Sequence, residues 1–486
     1  MRNNPFPLFV ACCLLANVFL TVALSCKEID DSYSTNPNHR LSFSTDTLSF
    51  DTVFSTIGSA TRQIMVYNTN NAPLLITSIG LANGTESGFR LNVDGRSGEV
   101  FSHIRIPGKD SLYVLVEVTI EPTKANRPLW IEDLLEFTVN GKTQAVCLRA
   151  CGQDVHLLRG GVTVRRDTLW TASRPYLIYD SLVVDSGVTL TLEKGALLYM
   201  HHKAKWQING RLQAVGTLEH PIIFRGDRLD NLLTDLPYDR IANQWEGLFF
   251  GSSSWGNVMD YVVVRNGNQG LYFFPSELQE RKISISNSQI TNMEQLVLTA
   301  GNCRMEAVNT EFSNAGGNIL SLTGGNYHFI HCTLVNYYAF NPGRQGFPVL
   351  ELKGKKEAPL TAIFDNCIID GSYAEGDRPL TGEVWVDASD GGELNFLFNH
   401  CAVKTMEVAD TSFRRVQFIG GENPMRYRYI GSAQDNLFDF RPDTCRAVMG
   451  KADPDIAARY PLDRFGVDRT VGEDGPDIGA YEYVPE

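Results

Sequence analysis

The sequence predicts an all-β protein with two architectures in series, an N-terminal β-sandwich and then a parallel β-helix solenoid. Three observations predict it. Strand-sized runs alternate with turn dipeptides from Leu41 to Asp154, one short unit recurs six times beyond Gly160, and Gly, Asn and β-branched residues dominate that repeat. Of 486 residues, 43% are hydrophobic and 20% charged, enough to bury large cores. The 43 basic and 56 acidic side chains leave a net charge of −13, whereas duplex nucleic acid demands clustered Lys and Arg. No nucleic-acid partner is expected.

The first element is a targeting segment. Residues 8–24 form an apolar run of 17 interrupted by Asn17 and Thr21, preceded by Arg2 and closed by Ser25-Cys26. That length is at the lower limit for a spanning helix, and a small residue before a cysteine reads as a cleavage site. Val22-Ala23-Leu24-Ser25-Cys26 resembles the bacterial lipobox. The resemblance implies a signal peptide over 1–25, acylation of Cys26, and a membrane partner held by three acyl chains, which anchor stably where one does not. Ala23 stands where the lipobox usually has Leu, so an uncleaved anchor or ordinary secretion are the alternatives. Cleavage removes Arg2 and no acid, making the mature chain one unit more negative.

Residues 26–40 read as a flexible tether. Within it, Lys27-Glu28-Ile29-Asp30-Asp31 resembles the export signal of Bacteroidetes lipoproteins, which implies an outer-membrane protein facing the cell exterior. Seven cysteines remain after the signal and Cys26 are set aside, an odd number that cannot all pair. Four residues of extended strand span about 13 Å, against a disulfide limit of about 7 Å, so Cys147 and Cys151 can bridge only across a turn. No CxxC, HExxH or EF-hand loop occurs, and no metal is expected.

The sandwich is expected over 41–154. Leu41-Phe50, Thr61-Tyr67, Leu74-Ile79, Phe89-Val93, Leu112-Ile120 and Leu134-Val139 read as strands, with turns at Asn83-Gly84, Asp94-Gly95, Pro107-Gly108 and Asn140-Gly141. About seven strands in this length fit an immunoglobulin-like sandwich, although the Cys…Trp…Cys pattern of antibody domains is missing.

The solenoid is expected over 160–445. Six segments centre on Tyr261, Ser288, Thr310, Cys332, Cys367 and Cys401, at intervals of 27, 22, 22, 35 and 34 residues. Two residues after each centre stands an apolar side chain, as at Val263, Ile290 and Phe312. Three residues before stands another, as at Val258 and Ile285. Immediately before comes Asp260, Asn287, Asn309, His331, Asn366 or His400. Short strands alternating in and out suit one coil of a parallel β-helix, about ten coils and roughly 50 Å in all. Asn292, Asn314 and Asn336 fall in one column, where stacked amides can bond along the axis.

Gly187-Val188-Thr189-Leu190-Thr191-Leu192, Ile208-Asn209-Gly210-Arg211-Leu212, Pro221-Ile222-Ile223-Phe224 and Trp245-Glu246-Gly247-Leu248 resemble the right-handed β-helix proteins of Bacteroidetes, related in fold to pectate lyases. Phe50-Asp51-Thr52-Val53 and Pro476-Asp477-Ile478-Gly479-Ala480-Tyr481-Glu482 resemble their flanks. The resemblance implies a right-handed solenoid and leaves catalysis open. Residues 446–486 are expected to cap the last coil against edge pairing.

A lyase needs a base near the sugar and a cation for the uronate carboxylate. Arg225, Asp227, Arg228, Asp239 and Arg240 supply charges on one rim, and Ca²⁺ is expected only on that reading; otherwise no cofactor is. Asp-Arg pairs there are more often loop-fixing ion pairs. A hydrolase needs facing carboxylates, with Asp365, Asp370, Glu383 and Asp387 as candidates. His201 and His202 are adjacent, so on a strand they cannot share one ion, and they read as turn residues. His331 and His400 share the Asn column, which favours a structural role. Trp206, Trp245, Trp255 and Trp385 could stack on sugars, with burial the alternative for each. Asp46-Thr47-Leu48, Asp110-Ser111-Leu112 and Asp180-Ser181-Leu182 resemble Bacteroidetes O-glycosylation sites. The expected function is a non-catalytic surface lipoprotein binding a polysaccharide or another surface protein along the solenoid flank. A lyase or hydrolase, and a structural or adhesive protein, are the alternatives.

Overall fold

A computed structural model describes residues 32–485 except 56, 123–125, 234, 341–343, 345, 373–381 and 472–473. The signal segment, Cys26 and Lys27 to Asp31 lie outside the described residues. The chain divides into two compact units, Met1–Glu121 with Trp130–Cys151, and Pro122–Leu129 with Gly152–Glu486. No helix among the described residues is long and apolar enough to cross a membrane.

The first unit has a five-stranded and a six-stranded sheet enclosing one apolar core. Strand Ser111–Val118 shows how the sequence builds it, because Leu112, Val114, Val116 and Val118 are buried on alternate positions. Two of the expected turns close hairpins. Asn140-Gly141 joins Leu129–Val139 to Lys142–Gln153, and Asp94-Gly95 joins Phe89–Val93 to Arg96–Gly98, with positive φ at all four turn residues. The expected single strand Leu41-Phe50 is two. Ser42–Phe43 pairs with Arg62–Tyr67 in one sheet, and Thr47–Phe54 belongs to the other. Thr45 Oγ1, which bonds both backbone groups of Thr47, sits at that crossing. Cys147 and Cys151 lie on one uninterrupted strand, Lys142–Gln153, and both are free, so no turn brings them together.

The second unit is a parallel β-helix of three sheets with eleven, nine and ten strands, here called sheets 1, 2 and 3. Each complete coil contributes a strand to sheet 1, then to sheet 2, then to sheet 3. Thus Gln289–Met293, Leu296–Gly301 and Arg304–Val308 are followed by Glu311–Ala315, Leu320–Thr323 and Gly325–Ile330, all paired parallel. Apolar side chains fill the interior. On sheet 3, Phe329, Phe364 and Phe398 stack at 5.1 Å between successive rings.

The structure corrects the repeat register in the first of the six segments. Val264, not Val263, pairs with Ile290, so Val262 is the equivalent of Ser288, 26 residues on. Met259 and Val264 then point inward, while Val263 faces out. The shift also brings Asn266 into line with Asn292, Asn314 and Asn336. These amides mostly tie down the backbone rather than one another. Asn336 Nδ2 donates to Ala315 O and Gly317 O, and Asn266 Nδ2 to Asp239 O.

The corner between sheets 3 and 1 explains the other column. Tyr261, Asn287, Asn309, His331, Asn366, His400 and Arg415 all take φ between 47° and 54°, the left-handed bend that turns each coil in one residue. The following residue closes the turn. Ser288 Oγ, Thr310 Oγ1, Cys332 Sγ, Cys367 Sγ and Cys401 Sγ each donate to the carbonyl two residues earlier. Between coils, Cys332 N–H donates to Cys367 Sγ and Cys367 N–H to Cys401 Sγ, both at 3.4 Å, as Val262 N–H does to Ser288 Oγ at 3.0 Å. Small hydroxyl or thiol side chains therefore recur here because each fills one donor and one acceptor role.

The C-terminal segment, expected to cap the last coil, runs along the flank over several coils and also packs on Ile419 after the last strand of sheet 1. Arg469 NH2 donates to Asn309 Oδ1, Tyr481 to Glu311, Ala480 N–H to Thr333 Oγ1 and Gly479 N–H to Asn366 O; Asp453 meets His400 at 3.4 Å. These partners belong to successive coils. They attract the segment because the outward face of sheet 1 carries Thr333, Val335, Ile368 and Ala402, small or apolar side chains that it buries. Gly479 has φ 107°, and a Cβ there would stand 2.6 Å from Ile368 Cδ1, so glycine is required.

Candidate functional site

The C-terminal segment covers sheet 1, whereas among the described residues the outward column of sheet 2 keeps exposed surface. On sheet 2, parallel register puts Gln207, Phe249, Tyr272, Thr299, Ser321, Glu351 and Trp385 in one outward column. All but Glu351 keep part of their surface exposed. Phe249 and Tyr272 lie 5.8 Å apart, and Phe274 stands 4.8 Å from Tyr272. Ser321 Oγ donates to Glu351 at 2.6 Å, and Lys353 pairs with Glu351 at 2.9 Å while lying 5.4 Å from the Trp385 ring. The column runs from one amide through two rings, Thr299 with its hydroxyl buried, Ser321 and Glu351 to the Trp385 ring, with about 4.8 Å between rungs.

The tryptophan candidates separate by burial. Trp206 and Trp245 are 0% and 1% exposed and present no face for stacking. Both point inward for a packing reason: Trp206 lies edge-on to Trp170 and Phe224, and Trp245 Nε1 donates to Arg265 O. Trp255 is 46% exposed, with the Arg211 guanidinium 4.5 Å over its ring. Trp130, in the first unit, is 65% exposed and carries no repeat signal that could have singled it out.

The charged rim does not form one groove. Arg225 and Arg265 share Asp239 at 3.1 and 2.9 Å, and Arg225 lies 5.7 Å from the Tyr199 ring. Burial lowers the Arg225 pKa and raises that of Tyr199. Arg228 donates to Asp230 at 2.7 Å and covers Tyr238 at 3.9 Å. Arg240 donates to Asp435 O, and Asn436 returns a bond to Arg240 O. Asp227 pairs with His201 Nδ1 at 2.6 Å; burial raises its pKa, and the bond to His201 opposes that. Each rim charge is thus answered within the protein.

The four candidate carboxylates do not face one another across a cleft. Asp365, on sheet 3, is held by His328 and Asn399; Asp370, on sheet 1, accepts from Tyr337 and Tyr427. Glu383 is buried against Arg344, and Asp387 sits on sheet 2. Burial raises the Asp370 pKa and holds that of His331 well below its usual value. His331 Nε2 meets Asn366 Nδ2 at 3.0 Å. His201 and His202 occupy a turn after Leu197–Met200, and among the described residues no three His, Cys, Asp or Glu side chains are placed to hold a metal.

No protein-family model matches the chain, and no curated protein does. Among solved structures, the catalytic unit of a thermostable GH87 alpha-1,3-glucanase from Streptomyces thermodiastaticus strain HF3-3 aligns with 73% of this chain and 73% of its own, at 12% identity and TM-score 0.25. A protein of unknown function from Porphyromonas gingivalis W83 aligns with 26% of this chain, at 12% identity and TM-score 0.18. The E. coli chaperone DraB aligns with 24%, at 12% identity and TM-score 0.17. This chain spans 60% of the Porphyromonas protein and 55% of the chaperone. TM-scores this low say nothing about what the chain does, and the β-helix stands on its own strand pairing.

Proposed function

We propose that this is a surface lipoprotein whose β-helix binds a glycan without turning it over. In this reading the solenoid is right-handed, the first unit is an immunoglobulin-like spacer, and acylated Cys26 holds the protein to the outer membrane facing outward. The observation that carries it is the open, polar and aromatic outward column of sheet 2, on a protein whose other candidate charges are internally paired. Rings along the ladder suit sugar faces, and the Ser321 hydroxyl between Tyr272 and Trp385 can accept from a sugar hydroxyl while donating to Glu351.

The test is retention of the purified protein in gels containing neutral or acidic polysaccharides, with and without Ca²⁺, alongside the ultraviolet absorbance of unsaturated uronate. Retention without turnover, weakened several-fold by Tyr272→Ala and Trp385→Ala, is expected. Turnover overturns the reading in favour of a lyase, and absence of both leaves a structural or adhesive protein. Labelled palmitate should enter the wild type and not Cys26→Ala.

A further inference from the structure

A second feature lies where sheet 1 turns toward sheet 2. Three successive coils leave sheet 1 through Tyr179, His201 and Asp227, one directly above the next. The His201 ring stacks on Tyr179 at 3.9 Å and 18°, and the Arg159 guanidinium covers Tyr179 at 4.3 Å. Asp227 holds Nδ1 at 2.6 Å. One ring nitrogen, Nε2, is left without a partner among the described residues. The imidazole is therefore fixed in position and orientation before any ligand arrives, which removes an ordering cost from binding.

His201 lies on the wall of a cavity of 480 Å³, within the size range of small-ligand sites. Arg228 and Tyr238 contribute from the insertion after Ile222–Gly226, Glu294 from a later turn, and Phe340 from the segment after Thr333–Asn336. Gln244 Nε2 donates to Tyr238 O and Ile241 O, which fixes the insertion's fold against the wall. The Arg228 guanidinium is already neutralised by Asp230, and Glu294 adds a carboxylate, so an anionic ligand finds no free guanidinium here. A carboxylate, a fixed imidazole nitrogen and aromatic carbon together match a compact ligand with hydroxyls on its edge and C–H groups on its face.

We propose that this corner cavity binds one residue of a neutral saccharide, with His201 Nε2, Arg228 and Glu294 bonding its hydroxyls and Phe340 packing on its ring. The inference rests on the glycan-binding reading but concerns a different site from the sheet 2 ladder. Its test is titration calorimetry of the full protein with neutral hexaoses of glucose, mannose and xylose. At least one should bind, with affinity falling tenfold or more in His201→Phe and in Arg228→Ala. Both side chains are partly exposed, and an unchanged thermal transition in each variant checks that the fold is kept. Hexaose affinity untouched by either variant overturns the cavity site. So does polymer retention on sheet 2 with none of the three hexaoses bound, and in both cases the ladder reading survives. Loss of polymer retention and hexaose binding together sinks both.

Discussion

The two units solve the same problem, covering the faces of β-sheets, in different ways. In the sandwich, each core contact is made once: Phe43 meets Phe137, and Phe50 meets Phe89, tilted at 45° and 49°. In the β-helix a contact is repeated by stacking, so Phe364 touches a like ring above and below. The sandwich therefore depends on complementary shapes and the solenoid on columns. The β-helix also buries a cation at a break in its columns, where the register shifts between Arg281 and Ile283. Among the described residues, Lys282 lies fully buried in the β-helix, and the sandwich buries no Lys or Arg. The lesson is that a repeating backbone tolerates a cost at one coil because its neighbours are independently satisfied.

The largest test of this contrast compares Phe364→Ala with Phe137→Ala. Each removes a fully buried ring, at about 3–5 kcal/mol. In denaturant, each should lower the transition of its own unit and spare the other; one joint transition shifted equally by both would break the comparison.

Lys282 gives the next largest effect. Its Nζ donates to Gly251 O, and burial depresses its pKa to about 8 from 10.5. Between those values the unfolded chain binds more protons than the folded one, so stability rises with pH across that window. Below it the full cost, about 3 kcal/mol, is present. Lys282→Met should therefore stabilise the β-helix at pH 7, with the gain shrinking toward pH 10, measured by urea denaturation. A pH-independent difference would mean that packing, not charge, decides it.

The smallest expected effect is at the thiol ladder. Cys367→Ser should be nearly neutral because it preserves the donor and the acceptor, whereas Cys367→Ala should cost about 1 kcal/mol. Equal losses in thermal unfolding would show that the column works by volume, as the sandwich does.

Much of this was legible in the chain. The Asn-Gly and Asp-Gly hairpins follow from turn chemistry, and the repeat follows from apolar positions spaced around a small polar corner. The misplaced first segment has a physical cause: Val262, Val263 and Val264 are all apolar, so the sequence does not say which two face inward. Pairing with Gln289 to Thr291 in the next coil resolves it. The ladder residues were visible as centres of the repeat, but a column mixing Ser, Thr and Cys does not declare a hydrogen-bonding role. Candidate-site residues were harder still. Arg225 and Asp239 looked like paired charges and are, but Arg265, which shares Asp239, sits in another coil with no local signal.

The sequence by itself determined the all-β class, the stacked coil unit and most turns, because these depend on side chains within a few residues of one another. Tertiary structure alone decided which faces stay open. Nothing local to the C-terminal segment says that it will lie along sheet 1, since its anchors at Asn309, Thr333 and Asn366 are more than 100 residues away for the first two and 87 for the last. Only when the coils are stacked do those side chains form the one surface on sheet 1 that the segment buries.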